Sequence, residues 1–237
     1  MKKSLTAVAA LSVLGVIPAL SSASAAPTTL NGLSAQQILS TTLKAANAQK
    51  TATSVISTSV LGITLKGVTE AGPSSGIGYL TVNGHKGEIV YLRGVIYFKF
   101  DPTIVKFEFN STSSTVANKW ISLTKKSRYF ANLAEGDTLP SLLQQLTPAG
   151  TLSATPTTVN GTSVIALVGK ANSTVGAAGT QTLYVSTTAP FLPVAGKVHA
   201  SSSGITLDIA IQMKNWGVTL NVTRPKVATS ITKTALK

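Results

Sequence analysis

The chain has 237 residues, 43% of them hydrophobic, with no cysteine, two histidines, seven carboxylates and a net charge of +13. Enzymes concentrate titratable groups in clusters, so this composition argues against acid–base catalysis, and the missing cysteine excludes a disulfide scaffold. It suits a protein that encloses, or packs against, something apolar.

Met1-Lys2-Lys3 supplies a positive n-region, Leu5 to Leu20 an uncharged apolar run, and Ala23-Ser24-Ala25 a small-x-small cleavage site. These read as a signal peptide over residues 1–25, with a mature chain starting at Ala26 or Pro27. An uncleaved anchor is the alternative, but the run is about 16 residues where a spanning helix wants about 20. With no cysteine to acylate, export is expected to the periplasm, cell wall or exterior without an N-terminal lipid anchor. Loss of Lys2 and Lys3 leaves eighteen basic against seven acidic residues, a net of +11. That charge suits transient contact with an anionic membrane or wall surface. Nucleic acid is not expected as a partner, because the basic residues are scattered apart from Lys125-Lys126 with Arg128. About 210 mature residues fit one domain, placed at 34–226, acting as a monomer and followed by a basic polar tail at 227–237.

Thr28 to Leu33 reads as a lead-in. Ser34-Ala35-Gln36-Gln37 is a capping-box signature, and Ile38, Leu39, Thr42, Leu43 and Ala46 then share one helical face as far as about Lys50. From Thr53 the period falls to 2, predicting antiparallel strands near Val55 to Val60, Gly62 to Thr69, Ile77 to Val82, Lys86 to Leu92 and Val95 to Phe100. Asn83-Gly84 suits a tight hairpin turn, as does Arg93-Gly94. Ile89, Tyr91, Val95 and Tyr97 are assigned to one face and Val90, Leu92, Ile96, Phe98 and Phe100 to the other.

Asp101 to Phe130 gives no clear element, and Ser111 to Thr115 reads as a polar loop. Thr138-Leu139-Pro140 opens a helix carrying Leu142, Leu143 and Leu146. Strands follow at Thr151 to Thr158, Ser163 to Gly169, Thr182 to Thr187, Val194 to Ala200, Gly204 to Met213 and Val218 to Thr223. Ile205, Leu207, Ile209 and Ile211 give the cleanest alternation in the chain. Thr81-Val82-Asn83-Gly84 recurs as Thr158-Val159-Asn160-Gly161, which marks either a duplicated half-sheet or repeated turn chemistry.

The search for chemistry yields little. His85 and His199 lack a second histidine at helical spacing, so no metal site is expected. Ser122-Leu123-Thr124-Lys125 matches a Ser-x-x-Lys pattern, but its surroundings read as strand, which would aim Ser122 and Lys125 to opposite faces. Glu135 and Asp137 flank Gly136 just before a helix and are assigned to capping it. Asn110, Asn160, Asn172 and Asn221 lie in Asn-x-Ser/Thr sequons, read as chance.

Several pieces in order resemble the actinobacterial LppX/LprAFG family of exported lipid- and glycolipid-binding proteins, whose fold is like that of LolA and LolB. They are Ser34-Ala35-Gln36-Gln37-Ile38-Leu39, Val95-Ile96-Tyr97-Phe98-Lys99, Lys119-Trp120-Ile121, Val159-Asn160-Gly161-Thr162, Leu183-Tyr184-Val185, Pro190-Phe191-Leu192-Pro193 and Trp216-Gly217 with Arg224-Pro225. The resemblance implies an α+β fold, a strongly curved antiparallel half-barrel with a few helices on its concave side. It implies a pocket for an acylated lipid or glycolipid, no cofactor and no catalysis. The candidate lining residues are Ile63, Leu65, Tyr79, Tyr91, Tyr97, Leu142, Leu143, Leu146, Leu183, Ile205, Leu207, Ile209 and Ile211. Unlike the family's lipoproteins, this chain has no acylatable cysteine. Two readings stand: a non-enzymatic lipid carrier of the cell envelope, or an envelope protein with a filled core that binds anionic wall polymers through its basic surface. A hydrolase built on Ser122 is a distant third.

Overall fold

The computed structural model describes residues 29–109, 116–134, 136–173, 177–202, 204–226 and 229–230. The expected signal peptide, the expected Ser111 to Thr115 loop, Glu135 and most of the expected 227–237 tail lie outside the described residues.

Helix α1, Ala35–Gln49, begins as its sequence dictates. The Ser34 hydroxyl accepts from the Gln37 N–H while the Gln37 side chain accepts from the Ser34 N–H, and Lys50 closes the helix in a left-handed conformation. Ile38, Leu39, Thr42 and Ala46 form its buried face. A meander follows, β1 (Ala52–Val60), β2 (Ile63–Ala71), β3 (Ser75–Val82), β4 (His85–Leu92) and β5 (Val95–Phe100). Its two-residue turns carry positive φ at Leu61-Gly62, Asn83-Gly84 and Arg93-Gly94, the conformation that tight hairpins require. The stretch that gave no clear pattern holds α2 (Pro102–Phe109), β6 (Ile121–Thr124) and α3 (Phe130–Ala134). Helix α4, Leu139–Leu146, is capped by Thr138. Its C-terminal carbonyls are met by Asn172 Nδ2, which donates to Gln144, Gln145 and Thr147, and by Gln181 Nε2, which donates to Gln145. The Asn172 amide is therefore a structural clamp.

The second half is again antiparallel, β7 (Ala149–Val159), β8 (Thr162–Lys170), β9 (Ala178–Ser186), β10 (Pro193–Ser202) and β11 (Ile205–Lys214). Asn160-Gly161 repeats the left-handed turn of Asn83-Gly84. All strands join one open sheet in the order β12-β6-β5-β4-β3-β2-β1-β11-β10-β9-β8-β7, where β12 is the two-residue Thr229–Ser230 paired parallel to β6. The fold is a curved α+β half-barrel whose helices sit on the concave face.

One expected strand is absent. Asn215 and Gly217 take positive φ after β11 and turn the chain off the sheet. Val218 to Thr223 is then a strap, not a strand. It is pinned where the Gly217 N–H donates to the Thr51 carbonyl and the Thr51 hydroxyl to that of Val218. Further on, the Arg224 guanidinium lies 5.6 Å from the Tyr97 ring.

Two apolar clusters lie on the concave face. Under α1 and α4 lie Ile165, Leu167, Leu183, Val185, Ile211 and Met213, and under α2 and α3 lie Ile89, Ile96, Phe98, Phe100, Ile121 and Leu123.

Candidate functional site

Strand register decides which side chains face inward, since alternate residues point to opposite faces and directly paired residues share one. Ile211 pairs with Ile56, Ile56 with Gly67, Gly67 with Leu80, Leu80 with Gly87 and Gly87 with Phe100, tracing one row across the concave face. Followed through every strand, the register places Lys66, Glu70, Lys86, Glu88, Lys99, Lys170, Lys197, Asp208 and Lys214 on the convex face. Among the described strand residues, none of Lys, Arg, Asp or Glu faces inward. A sheet with one wet face shows such segregation; here the dry face is only partly covered.

The uncovered part is a strip over β2, β1 and β11. Ile63 and Val60 pair at its outer end, Thr58 sits between Leu65 and Ile209 further in, and Ile56 lies beside Ile211. Val60, Ile63, Leu65, Leu80, Leu207 and Ile209 are only half-buried, and Ile205 is 40% exposed. Ile56 and Ile209 fringe the first cluster while Ile63, Leu65 and Leu80 fringe the second, so the strip is the seam between them. Leu61, 76% exposed, stands on the β1–β2 turn at the rim.

The candidate lining residues divide three ways. Ile63, Leu65, Ile205, Leu207 and Ile209 lie along the strip, and Tyr91 faces inward beside the second cluster. Leu142, Leu143, Leu146, Leu183 and Ile211 are buried in packed contact under α1 and α4, which fill the space expected to be hollow there. Tyr79 and Tyr97 lie on the convex face, contrary to expectation. The pairings Leu65 with Val82 and Tyr91 with Ile96 show why, because each hairpin from β1 to β5 moves the inward positions from odd to even residue numbers or back. The grouping of Tyr91 with Tyr97 is corrected for the same reason. Tyr79 is 50% exposed, and Tyr97 is buried beside the strap.

A pocket of about 70 Å³ lies elsewhere, between the strap and the ends of β1 and β2, against Thr53, Glu70, Asn215 and Leu220. Ligand pockets usually span about 300–1,000 Å³, so it does not suit a lipid.

His85 sits at the inward rim of β4 with its Nδ1 3.1 Å from Asp101. The Thr103 N–H, ahead of His85, holds the Asp101 carboxyl below its usual range. His199 pairs with Asp208 on the exposed convex face. No group of three metal-ligating side chains occurs among the described residues. Ser122 pairs with Tyr97 and so faces outward, while Lys125 lies beyond the end of β6.

Sequence reasoning missed the role of Asp137. Thr138, not Asp137, caps α4. Asp137 is 5% exposed, its Oδ2 has no hydrogen-bond partner, and burial pushes its pKa up to about 8. No motif marks it, since the signal lies in the strand opposite: Gly76 and Gly78 leave room for the turn that carries it.

No family model and no curated protein sequence matches the chain. Among solved structures it is similar to LprF from Mycobacterium bovis, at 13% identity and a TM-score of 0.45, over 81% of this chain and 96% of that one. It is also similar to an uncharacterised conserved protein from Thermus thermophilus, at 14% identity and a TM-score of 0.47, over 83% and 98%. A LolA superfamily protein from Nitrosomonas europaea gives 11% identity and a TM-score of 0.31, over 80% and 96%. No helix among the described residues is long and apolar enough to cross a membrane.

Proposed function

We propose that the protein is an exported, non-enzymatic carrier that binds the acyl chains of a lipid or glycolipid along the strip between its two clusters. The observation that carries the proposal is a concave face whose strands hold no Lys, Arg, Asp or Glu and whose middle is left uncovered by the helices. Each buried methylene contributes about 0.8 kcal/mol, so ten supply roughly 8 kcal/mol before the entropy of association is subtracted. No reacting group is needed. Native mass spectrometry of protein gently purified from its producing cells tests the proposal. Co-purifying lipid is the expected result, and a bare protein that also ignores added acyl lipid overturns it.

The convex lysines favour a second reading, contact with an anionic membrane or wall polymer. Such contact is predicted to weaken as salt rises, and binding indifferent to ionic strength contradicts it.

A further inference from the structure

The bare strip runs inward to a polar spot. Beyond Ile56 and Gly67, the next row across the sheet is Met213, Ser54, Thr69, Gly78 and Ile89. From Ile63 to Thr69 along β2 is about 20 Å at roughly 3.4 Å per residue. Ser54 is 5% exposed, and Gly78 lies beneath the turn that carries Asp137. A methyl group built at Gly78 would meet Thr69 Oγ1 at 3.6 Å, Asp137 Oδ1 at 3.7 Å and Ile89 Cβ at 3.7 Å, all ordinary contacts. There is thus a methyl-sized notch with a hydroxyl and a carboxyl for two of its walls.

The carboxyl is unusual in two further respects. Its Oδ2 is buried without a partner, one of two such side-chain atoms among the described residues, the other being Thr42 Oγ1 of α1. A buried polar atom left unpaired costs about 1–3 kcal/mol, which an apolar residue would avoid. In addition, the inward strand positions around it carry no Lys or Arg that would neutralise an anion. A neutral carboxyl can both donate and accept a hydrogen bond, and so matches an uncharged hydroxyl or ester carbonyl better than a phosphate or carboxylate.

We infer that the notch formed by Gly78, Thr69 and Asp137 is a polar subsite that takes one uncharged oxygen, a hydroxyl or ester carbonyl, of an acyl lipid, inserted head-first with its chain lying outward along the strip. This rests on the acyl-binding reading above and adds the class of headgroup and the ligand's direction. The acyl terminus then lies near Leu61 and Ile205 at the rim, where the apolar surface is most exposed.

The test compares 1-monooleoylglycerol with oleate, which share an acyl chain and differ in the charge of the head, on the full protein and three variants. Wild type is expected to bind the monoacylglycerol about tenfold more tightly than oleate. Asp137→Leu is expected to lose that advantage by weakening monoacylglycerol binding about tenfold, the worth of one buried hydrogen bond, while leaving oleate binding unchanged. Asp137→Asn, still a neutral donor and acceptor, is expected to retain most of the affinity. Gly78→Ala, which fills the notch without a clash, is expected to weaken the monoacylglycerol alone. Equal binding of the two ligands by wild type, or undiminished monoacylglycerol binding by Asp137→Leu, overturns the subsite while leaving the carrier reading intact. Failure of wild type to bind either ligand overturns both.

Discussion

Under α1 and α4 the concave face is closed, whereas over β1, β2 and β11 the same kind of apolar surface stands half-open. Leu183 and Leu65 are both inward-facing strand leucines, yet Leu183 is fully buried and Leu65 only partly so. The difference lies in what the helices reach. Helix α4 brings Leu142, Leu143 and Leu146 to one side of the sheet, α2 and α3 attend to the other, and the seam between has no lid. Contiguous exposed apolar surface on a protein usually marks an interaction site, and here it borders a face free of strand charges.

The comparison is sharpened first by pH. The Asp137 carboxyl titrates near pH 8 when folded against 3.8 ordinarily. Below pH 3.8 both states hold the proton; between the two values only the folded state does, so unfolding releases a proton and stability falls as pH rises. The loss levels off above about pH 8. At about 1.4 kcal/mol per pKa unit its upper bound is about 6 kcal/mol, and Asp137→Asn is predicted to flatten the wild-type slope in denaturation between about pH 4 and pH 8.

The closed region is broken most directly by Gly76→Ala. A Cβ there would sit 1.9 Å from the Asp137 carbonyl oxygen and force away the turn that leads into α4. A loss of about 4 kcal/mol in chemical denaturation is expected. Leu183→Ala, which empties packed volume, should cost about 3 kcal/mol, while Leu65→Ala on the open strip should cost less than about 1 kcal/mol. Equal losses would mean that the strip is as packed as the core. Tyr79→Ala on the convex face is the smallest change, expected within about 0.5 kcal/mol, with acyl binding unaltered.

Much of this fold was legible in local chemistry. Ser34 with Gln37 announced α1, Thr138-Leu139-Pro140 announced α4, and Asn83-Gly84 and Asn160-Gly161 announced hairpins, because capping and positive φ are decided by residues a few positions apart. Val218 to Thr223 has strand-like composition, but whether a strand forms depends on a free edge to pair with, and the turn at Asn215 and Gly217 leads it across the sheet instead. Tyr79 and Tyr97 face outward although the odd-numbered Leu65 and Tyr91 face inward, because each hairpin from β1 to β5 exchanges odd and even inward positions and parity read along one strand does not carry to the next. The region from Asp101 to Phe130 shows no clear pattern because its helices are short and β6, its one strand among the described residues, spans only four residues. Asp137 escaped since burial of a carboxyl is a property of what folds over it.

The claim that the uncharged concave strip holds the acyl chain is tested most directly by two adjacent residues on opposite faces of β2. Leu65→Lys places a charge on the strip, and Thr64→Lys places the same charge on the exposed convex face. Titration of each folded variant with a pyrene-labelled acylglycerol is predicted to show binding by wild type and Thr64→Lys, and at least a tenfold loss for Leu65→Lys. Equal binding by both lysine variants would contradict the account.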